Sequence, residues 1–146
     1  MKLYLMRHGE AESYAKADSA RALTNTGRAA VASKASLLPA IDQMIVSPYL
    51  RALQTADILV GEGVSVNHRL VEDRVLPDCE VMPILESLID TKRKNQLIVA
   101  HNPLLSYLVR LLCGAQVGQV SLATANIACL EADIFQPECA SLLWIK

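Results

Sequence analysis

The four cysteines of this 146-residue chain, Cys79, Cys113, Cys129 and Cys139, form no CxxC pair, and no His-x3-His accompanies them. That spacing argues against a zinc framework and leaves reduced thiols in a cytosolic protein as the expectation. An excess of one charge is also missing. The net charge is −1, which gives no general attraction for nucleic acid or for acidic membrane surfaces. The apolar start is cut off at Arg7, too short for the apolar region of a signal peptide. One uncharged run, Leu111 to Leu130, is long enough to suggest a membrane span. It is broken by Gly114, Gln116, Gly118, Gln119, Ser121, Thr124 and Asn126, and reads as a helix end, a loop and a strand. There is no repeat, linker or low-complexity segment. With a hydrophobic fraction of 52%, residues 1–146 are expected to form one domain whose core needs no staples. A monomer is expected.

What is there is a series of short apolar runs that end on reactive side chains. Lys2 to Met6 reads as a buried strand and stops at Arg7-His8-Gly9. Glu10 to Ala22 has no period and reads as a loop over that strand end. A helix is expected from about Gly27 to Leu38, with Thr24 or Thr26 as its N-cap and Pro39 marking its end. Gln43 to Val46 is a second buried strand. Ser47-Pro48 follows, with Ser47 as the expected cap of a helix over Tyr49 to Val60. Leu50, Leu53, Ala56 and Val60 would form its apolar face. Arg51 falls in the first turn, where a cation opposes the helix dipole, so an anionic partner is expected for it.

Further along, Val64 to Val66 reads as a short strand and Arg69 to Cys79 as loop. Glu80 to Asp90 fits an amphipathic helix with Val81, Ile84, Leu85 and Leu88 inward. Leu97 to Ala100 is the clearest buried strand, and His101-Asn102-Pro103 opens a helix to about Leu112. Asn126 to Ile134 and Ala140 to Ile145 read as an antiparallel hairpin. Strands separated by helices define an α/β chain: a three-layer α/β/α sandwich with a mostly parallel sheet.

In such a sheet the carboxyl ends of the strands share one edge, where ligands bind. Arg7-His8-Gly9, Ser47-Pro48 with Arg51, and His101-Asn102-Pro103 all fall there. Two histidines and two arginines could converge on one phosphate. A neutral imidazole can attack phosphorus, and a fixed guanidinium can hold phosphate oxygens. His68 reads as structural or solvent-exposed.

Arg7-His8-Gly9-Glu10, Leu23-Thr24-x-x-Gly27, Ser47-Pro48-x-x-Arg51-Ala52-x-x-Thr55 and Ala100-His101-Asn102 resemble, in order, the motifs of the histidine phosphatase superfamily, the branch that includes phosphoglycerate mutases. The short length and Asp18-Ser19-x-Arg21-x-Leu23-Thr24 look most like its phosphohistidine phosphatases. The resemblance implies a phosphoglycerate mutase-like fold without a lid subdomain. It implies that His8 is the nucleophile, transiently phosphorylated, with Arg7, Arg51 and His101 around the phosphoryl group. Arg21 is a further candidate for contact with phosphate or partner. No metal or other cofactor is implied. His8 must be neutral to attack, so its other ring nitrogen needs an acceptor, expected to be a nearby backbone carbonyl.

Larger family members carry a carboxylate that protonates an ester leaving oxygen. Here Glu10, Glu12, Glu72 and Asp73 are candidates, and no motif picks one. Phosphohistidine depends less on such an acid, because the leaving ring can be protonated beforehand. Nor has the chain room for the insertions that wall in small substrates. Both points favour a phosphorylated protein, such as a histidine-containing phosphotransfer domain, as substrate. The alternatives are a phosphomonoesterase for a small phosphorylated metabolite and a non-catalytic phosphate-binding module.

Overall fold

The computed structural model describes all residues from Met1 to Lys146. Six strands form one sheet: β1 (Lys2–Arg7), β2 (Ile41–Val46), β3 (Val66–Val71), β4 (Asn95–Ala100), β5 (Ile127–Glu131) and β6 (Ser141–Ile145). Their order is β3-β2-β4-β1-β5-β6. The first four run parallel, while β5 is antiparallel to β1 and β6 antiparallel to β5. The sheet is therefore mixed, as expected, with the terminal hairpin closing one side.

The two-residue period of the strands makes the three layers. In β1, Leu3 and Leu5 point to one face, against α3 (Met82–Ser87) and α4 (Leu104–Cys113). Tyr4 and Met6 point to the other, against α1 (Asn25–Lys34) and α2 (Leu50–Gly61). Ile45 and Ile98 share the first face, and Met44, Val46, Leu97 and Val99 the second. The central strands are buried on both sides, which is why they read as continuous apolar runs.

Several boundaries differ from the sequence reading, each for a local reason. Thr24 is the cap of α1, its side chain accepting from Gly27 N at 2.9 Å. The helix passes into a 3-10 turn at Ala35–Leu37. Ser47 is not the cap of α2. Its N–H donates to Val99 O at 3.0 Å, so it still belongs to the sheet, and the helix starts later, with Tyr49 at the N-cap. The inward face of α2 is Ala52, Thr55, Ala56 and Leu59, while Val60 is exposed. Of the expected stripe Leu50, Leu53, Ala56 and Val60, only Ala56 is on the buried face. Ala52 and Leu59 join it in the core, in the turns that carry Arg51 and Thr55. β3 overlaps the short strand expected at Val64 to Val66 only at Val66, and runs on into the stretch taken for loop from Arg69. It is an edge strand with five of six residues exposed, so it carries no apolar run. The helix expected over Glu80 to Asp90 is shorter, only Met82–Ser87.

Register delivers the functional junctions to one place. Arg7 lies beside Ala100, and Val46 beside Val99. His8 N donates to Ala100 O at 3.1 Å, continuing the β1–β4 ladder by one residue. His8, Ser47 and His101 thus leave neighbouring strands at the same edge.

Candidate active site

His8 follows β1, His101 follows β4, and Arg51 stands in the first turn of α2, which follows β2. Their side chains meet. The two imidazole centroids are 5.0 Å apart, and Arg51 Nε donates to His8 Nε2 at 3.1 Å. All three are buried: His8 is 7% exposed, Arg51 3% and His101 1%. His8 Nδ1 lies 2.7 Å from Gly9 O. A carbonyl can only accept, so Nδ1 carries the proton. Nε2 then holds the lone pair, consistent with its accepting from Arg51. Two independent contacts fix one tautomer, and the carbonyl is the kind of acceptor expected from sequence.

Around this pair, His101 Nε2 is 2.6 Å from Ser47 Oγ. Arg7 Nη1 donates to Leu122 O at 2.9 Å, as Asn102 Nδ2 does at the same distance. Two buried polar atoms have no partner in the protein, Arg7 Nε and His101 Nδ1. Buried donors and acceptors are rarely left unpaired, and both of these belong to the cluster. Behind it, Gly9 N donates to Thr55 Oγ1 at 3.1 Å, and Thr55 Oγ1 donates to Arg51 O at 2.7 Å. Thr55 thereby ties the His8 turn to the first turns of α2. Tyr49 sets its ring edge-on to His101, with Arg51 Cζ 4.8 Å from its centroid.

The electrostatics follow from this packing. Burial pushes the His8 ring down to about 4; its bond to Gly9 opposes the shift, and the charges of Arg51, Arg7 and Arg21 add to it. His101 falls to about 3, by burial first, then by His8 and Arg51. Burial and the neighbouring Arg51 also lower Arg7. Near neutral pH both imidazoles are therefore uncharged within a cationic pocket. Long-range 1H–15N spectra should show both rings neutral, His8 as the Nδ1–H form, from about pH 8 to about pH 5. A midpoint near 6.5 for either ring would contradict this picture. The same shifts set the acid stability. Unfolded rings take protons first, so the full contribution holds above about pH 6.5 and is lost as pH falls toward 4.

Asp18 belongs to the cluster although sequence reasoning did not single it out. Its backbone O accepts from Arg51 Nη1 at 2.7 Å, and its Oδ2 from Arg51 Nη2 at 3.2 Å. This is the anionic partner expected for Arg51. Arg21 lies one layer out, with Nε donating to Asp18 Oδ1 at 2.8 Å and Nη1 to Glu12 O at 3.2 Å. The signal for Asp18 was the opposite charge three residues before Arg21. Ser47, Tyr49 and Thr55 gave no chemical signal beyond their place in the third motif. Among the acid candidates, Glu72 is held by Arg74 through both carboxylate oxygens. Glu10, Glu12 and Asp73 are exposed, and none of their side chains bonds to the cluster. His68 is exposed on β3. No group of three or more His, Cys, Asp or Glu side chains is placed to hold a metal ion, and no helix is long and apolar enough to cross a membrane.

A six-stranded α/β sandwich with histidines at the ends of two adjacent central strands, and arginines beside them, defines a phosphate-handling class. The chain belongs to the histidine phosphatase superfamily (branch 1), whose sequence model matches residues 3–75. It is 31% identical to the phosphohistidine phosphatase SixA of Escherichia coli (strain K12) over 144 residues, which cover 91% of this chain and 86% of that protein. It is 30% identical to the SixA homolog of Haemophilus influenzae over an alignment of 166 residues covering 100% of both. Its fold matches that of the protein histidine phosphatase SixA complexed with tungstate, with a TM-score of 0.85 and 28% identity over 99% of this chain and 96% of that one.

Proposed function

We propose that this chain is a phosphohistidine phosphatase acting on protein-borne phosphohistidine, with His8 carrying the phosphoryl group between two steps. The observation that carries this reading is the state of His8: a neutral imidazole, protonated on Nδ1, with its Nε2 lone pair among Arg7, Arg51 and His101. In the first step Nε2 forms a bond to phosphorus, and the P–N bond to the substrate ring breaks. The electron pair leaves with the substrate nitrogen, and a ring already protonated on its other nitrogen departs as neutral imidazole. The phosphorylated His8 ring then keeps its Nδ1 proton on Gly9 O. It is an imidazolium, itself a good leaving group. In the second step water attacks phosphorus, the P–Nε2 bond breaks, and His8 returns to its starting tautomer as phosphate and a proton leave. Arg7, Arg51 and His101 stabilise the charge spread over the phosphoryl oxygens. Arg7 Nε and His101 Nδ1, unpartnered within the protein, are natural ligands for those oxygens.

The substrate class follows from leaving-group chemistry. An alkyl ester must expel an alkoxide, which needs a proton from the enzyme. The carboxylates considered for that task are exposed or held by Arg74. A histidine-containing phosphotransfer domain supplies the neutral leaving group instead, and residues 1–146 act on it as one domain in the cytoplasm. The relatives named phosphohistidine phosphatases support this assignment. The test compares kcat/KM for a phosphorylated phosphotransfer domain, a serine phosphopeptide and a sugar phosphate at one pH and salt. The phosphohistidine protein should win by at least ~100-fold, about 2.7 kcal/mol of differential transition-state binding. Equal turnover of either ester would make the chain a metabolite phosphatase. Phosphate binding without turnover of any of them would make it a binding module.

A further inference from the structure

Arg51 stands in the first turn of α2, and that helix has neither a side-chain cap nor an acidic residue in its first turn. The compensating negative charge comes from outside the helix, from Asp18 in a 3-10 turn (Asp18–Ala20) of the segment over the site. Asp18 takes the two terminal nitrogens of the guanidinium, Nη1 on its backbone carbonyl and Nη2 on Oδ2. Nε, the remaining nitrogen, is the one turned to His8 Nε2. Arg21 braces the same carboxylate from its other oxygen, and is itself anchored on Glu12 O. Burial raises the Asp18 carboxyl, but hydrogen bonds from Arg51 and Arg21 outweigh it and hold the group ionised below its ordinary range. Tyr49 also touches Arg51, but through its ring face, which sets no donor direction.

We propose that Asp18 is a positioning residue for phosphoryl transfer: by holding Nη1 and Nη2 it aims the Nε edge of Arg51 at the phosphoryl group on His8, with Arg21 acting through Asp18. This rests on the roles given above to His8 and Arg51. A guanidinium held at one end by an ionised carboxylate keeps a single rotamer, and its remaining N–H groups present a fixed fork. Released, the same charge remains near the site but samples other directions. Placement matters because fixed donors stabilise a transition state that wandering donors do not.

The test measures kcat and KM on a phosphotransfer domain phosphorylated with phosphoramidate. Asp18→Ala should lower kcat about 20-fold without lowering the thermal midpoint, while Asp18→Asn, which keeps an oxygen for Nη2, should stay within about 3-fold of wild type. In an Arg51→Lys background, Asp18→Ala should cost less than about 2-fold, because nothing remains for it to aim. A full 20-fold loss in both backgrounds would overturn the proposal, since Asp18 would then act apart from Arg51. Unchanged or raised kcat in Asp18→Ala, with tighter inhibition by orthovanadate, would also overturn it by making the carboxylate a competitor for the anion site. Failure of the underlying site reading looks different: His8→Ala or Arg51→Lys would keep wild-type turnover.

Discussion

His8→Ala should abolish turnover, with kcat down on the order of 10⁴-fold or more, about 5.5 kcal/mol of lost transition-state stabilisation. The size follows from what the ring supplies. His101 does not replace it: its Nε2 is engaged with Ser47 Oγ, and its Nδ1 serves the phosphoryl oxygens as a donor. Water attacking the substrate directly would lose the covalent step, though Arg7 and Arg51 would still hold the phosphoryl group. The fold should survive. His8 lies beyond the last residue of β1, and its side chain bonds only to Gly9 O and Arg51 Nε. Losing the Arg51 bond costs about 1–2 kcal/mol, so urea unfolding should remain a single transition near the wild-type midpoint. Labelled substrate with an alkaline quench should leave acid-labile phosphate on the wild type and none on His8→Ala. Label on any other residue, or a variant that turns over normally, would remove His8 as nucleophile.

The legible part of this chain was the part governed by short-range rules. Double-sided burial makes β1, β2 and β4 visible as apolar runs, and the sheet's geometry then puts His8, Ser47 and His101 on one edge without further information. The Nδ1 acceptor of His8 was predictable because a nucleophilic imidazole needs one, and a strand-end carbonyl is the nearest candidate. What escaped was set by tertiary contacts. β3 is an edge strand with a solvated surface, so beyond Val66 its sequence carries no apolar run to mark it. The rotation of α2 defied its apolar pattern because Arg51 and Thr55, both polar, are buried on it. Asp18 and Arg21 have the spacing of a surface ion pair, and only the folded segment shows that the carboxylate also reaches Arg51. Even the helix-dipole argument for Arg51 gave the sign of its partner and not its position.

Gly9 ends Arg7-His8-Gly9 and Gly27 stands at the expected start of a helix; the structure gives the two glycines a shared task. Neither Gly9 nor Gly27 needs a left-handed backbone. A Cβ on Gly27 would lie 2.2 Å from Glu10 O and 2.8 Å from Glu10 N, and one on Gly9 would lie 2.9 Å from Gly27 O. The first turn of α1 is thus stacked directly on the backbone that follows His8. The stack is fastened by Thr24, whose N–H donates to Glu10 O at 3.0 Å. These contacts explain why Leu23-Thr24-x-x-Gly27 accompanies Arg7-His8-Gly9: the second motif is the seat of the first.

Gly27→Ala should therefore destabilise the protein by about 3 kcal/mol, roughly 150-fold in the folded-to-unfolded ratio, against the helix-propensity gain of about 1 kcal/mol that alanine ordinarily brings. The atom in the way is a main-chain oxygen, which cannot swing aside as a side chain can. Either α1 lifts or Glu10 moves, and Glu10 is two residues from His8. Two measurements follow. Urea unfolding should give a lower midpoint with an unchanged slope. In buffer, where the variant is still folded, kcat should fall, because the Gly9 carbonyl that orients His8 Nδ1 is bonded to the nitrogen of Glu10. Gly61→Ala is the matched control. Gly61 is the last residue of α2, and nothing lies within 4 Å of the Cβ it would acquire. That variant should be neutral or gain up to about 1 kcal/mol, with activity intact. If Gly27→Ala matched it in stability, α1 would yield to the extra methyl group at little cost, and the seat beneath His8 would be softer than these distances require.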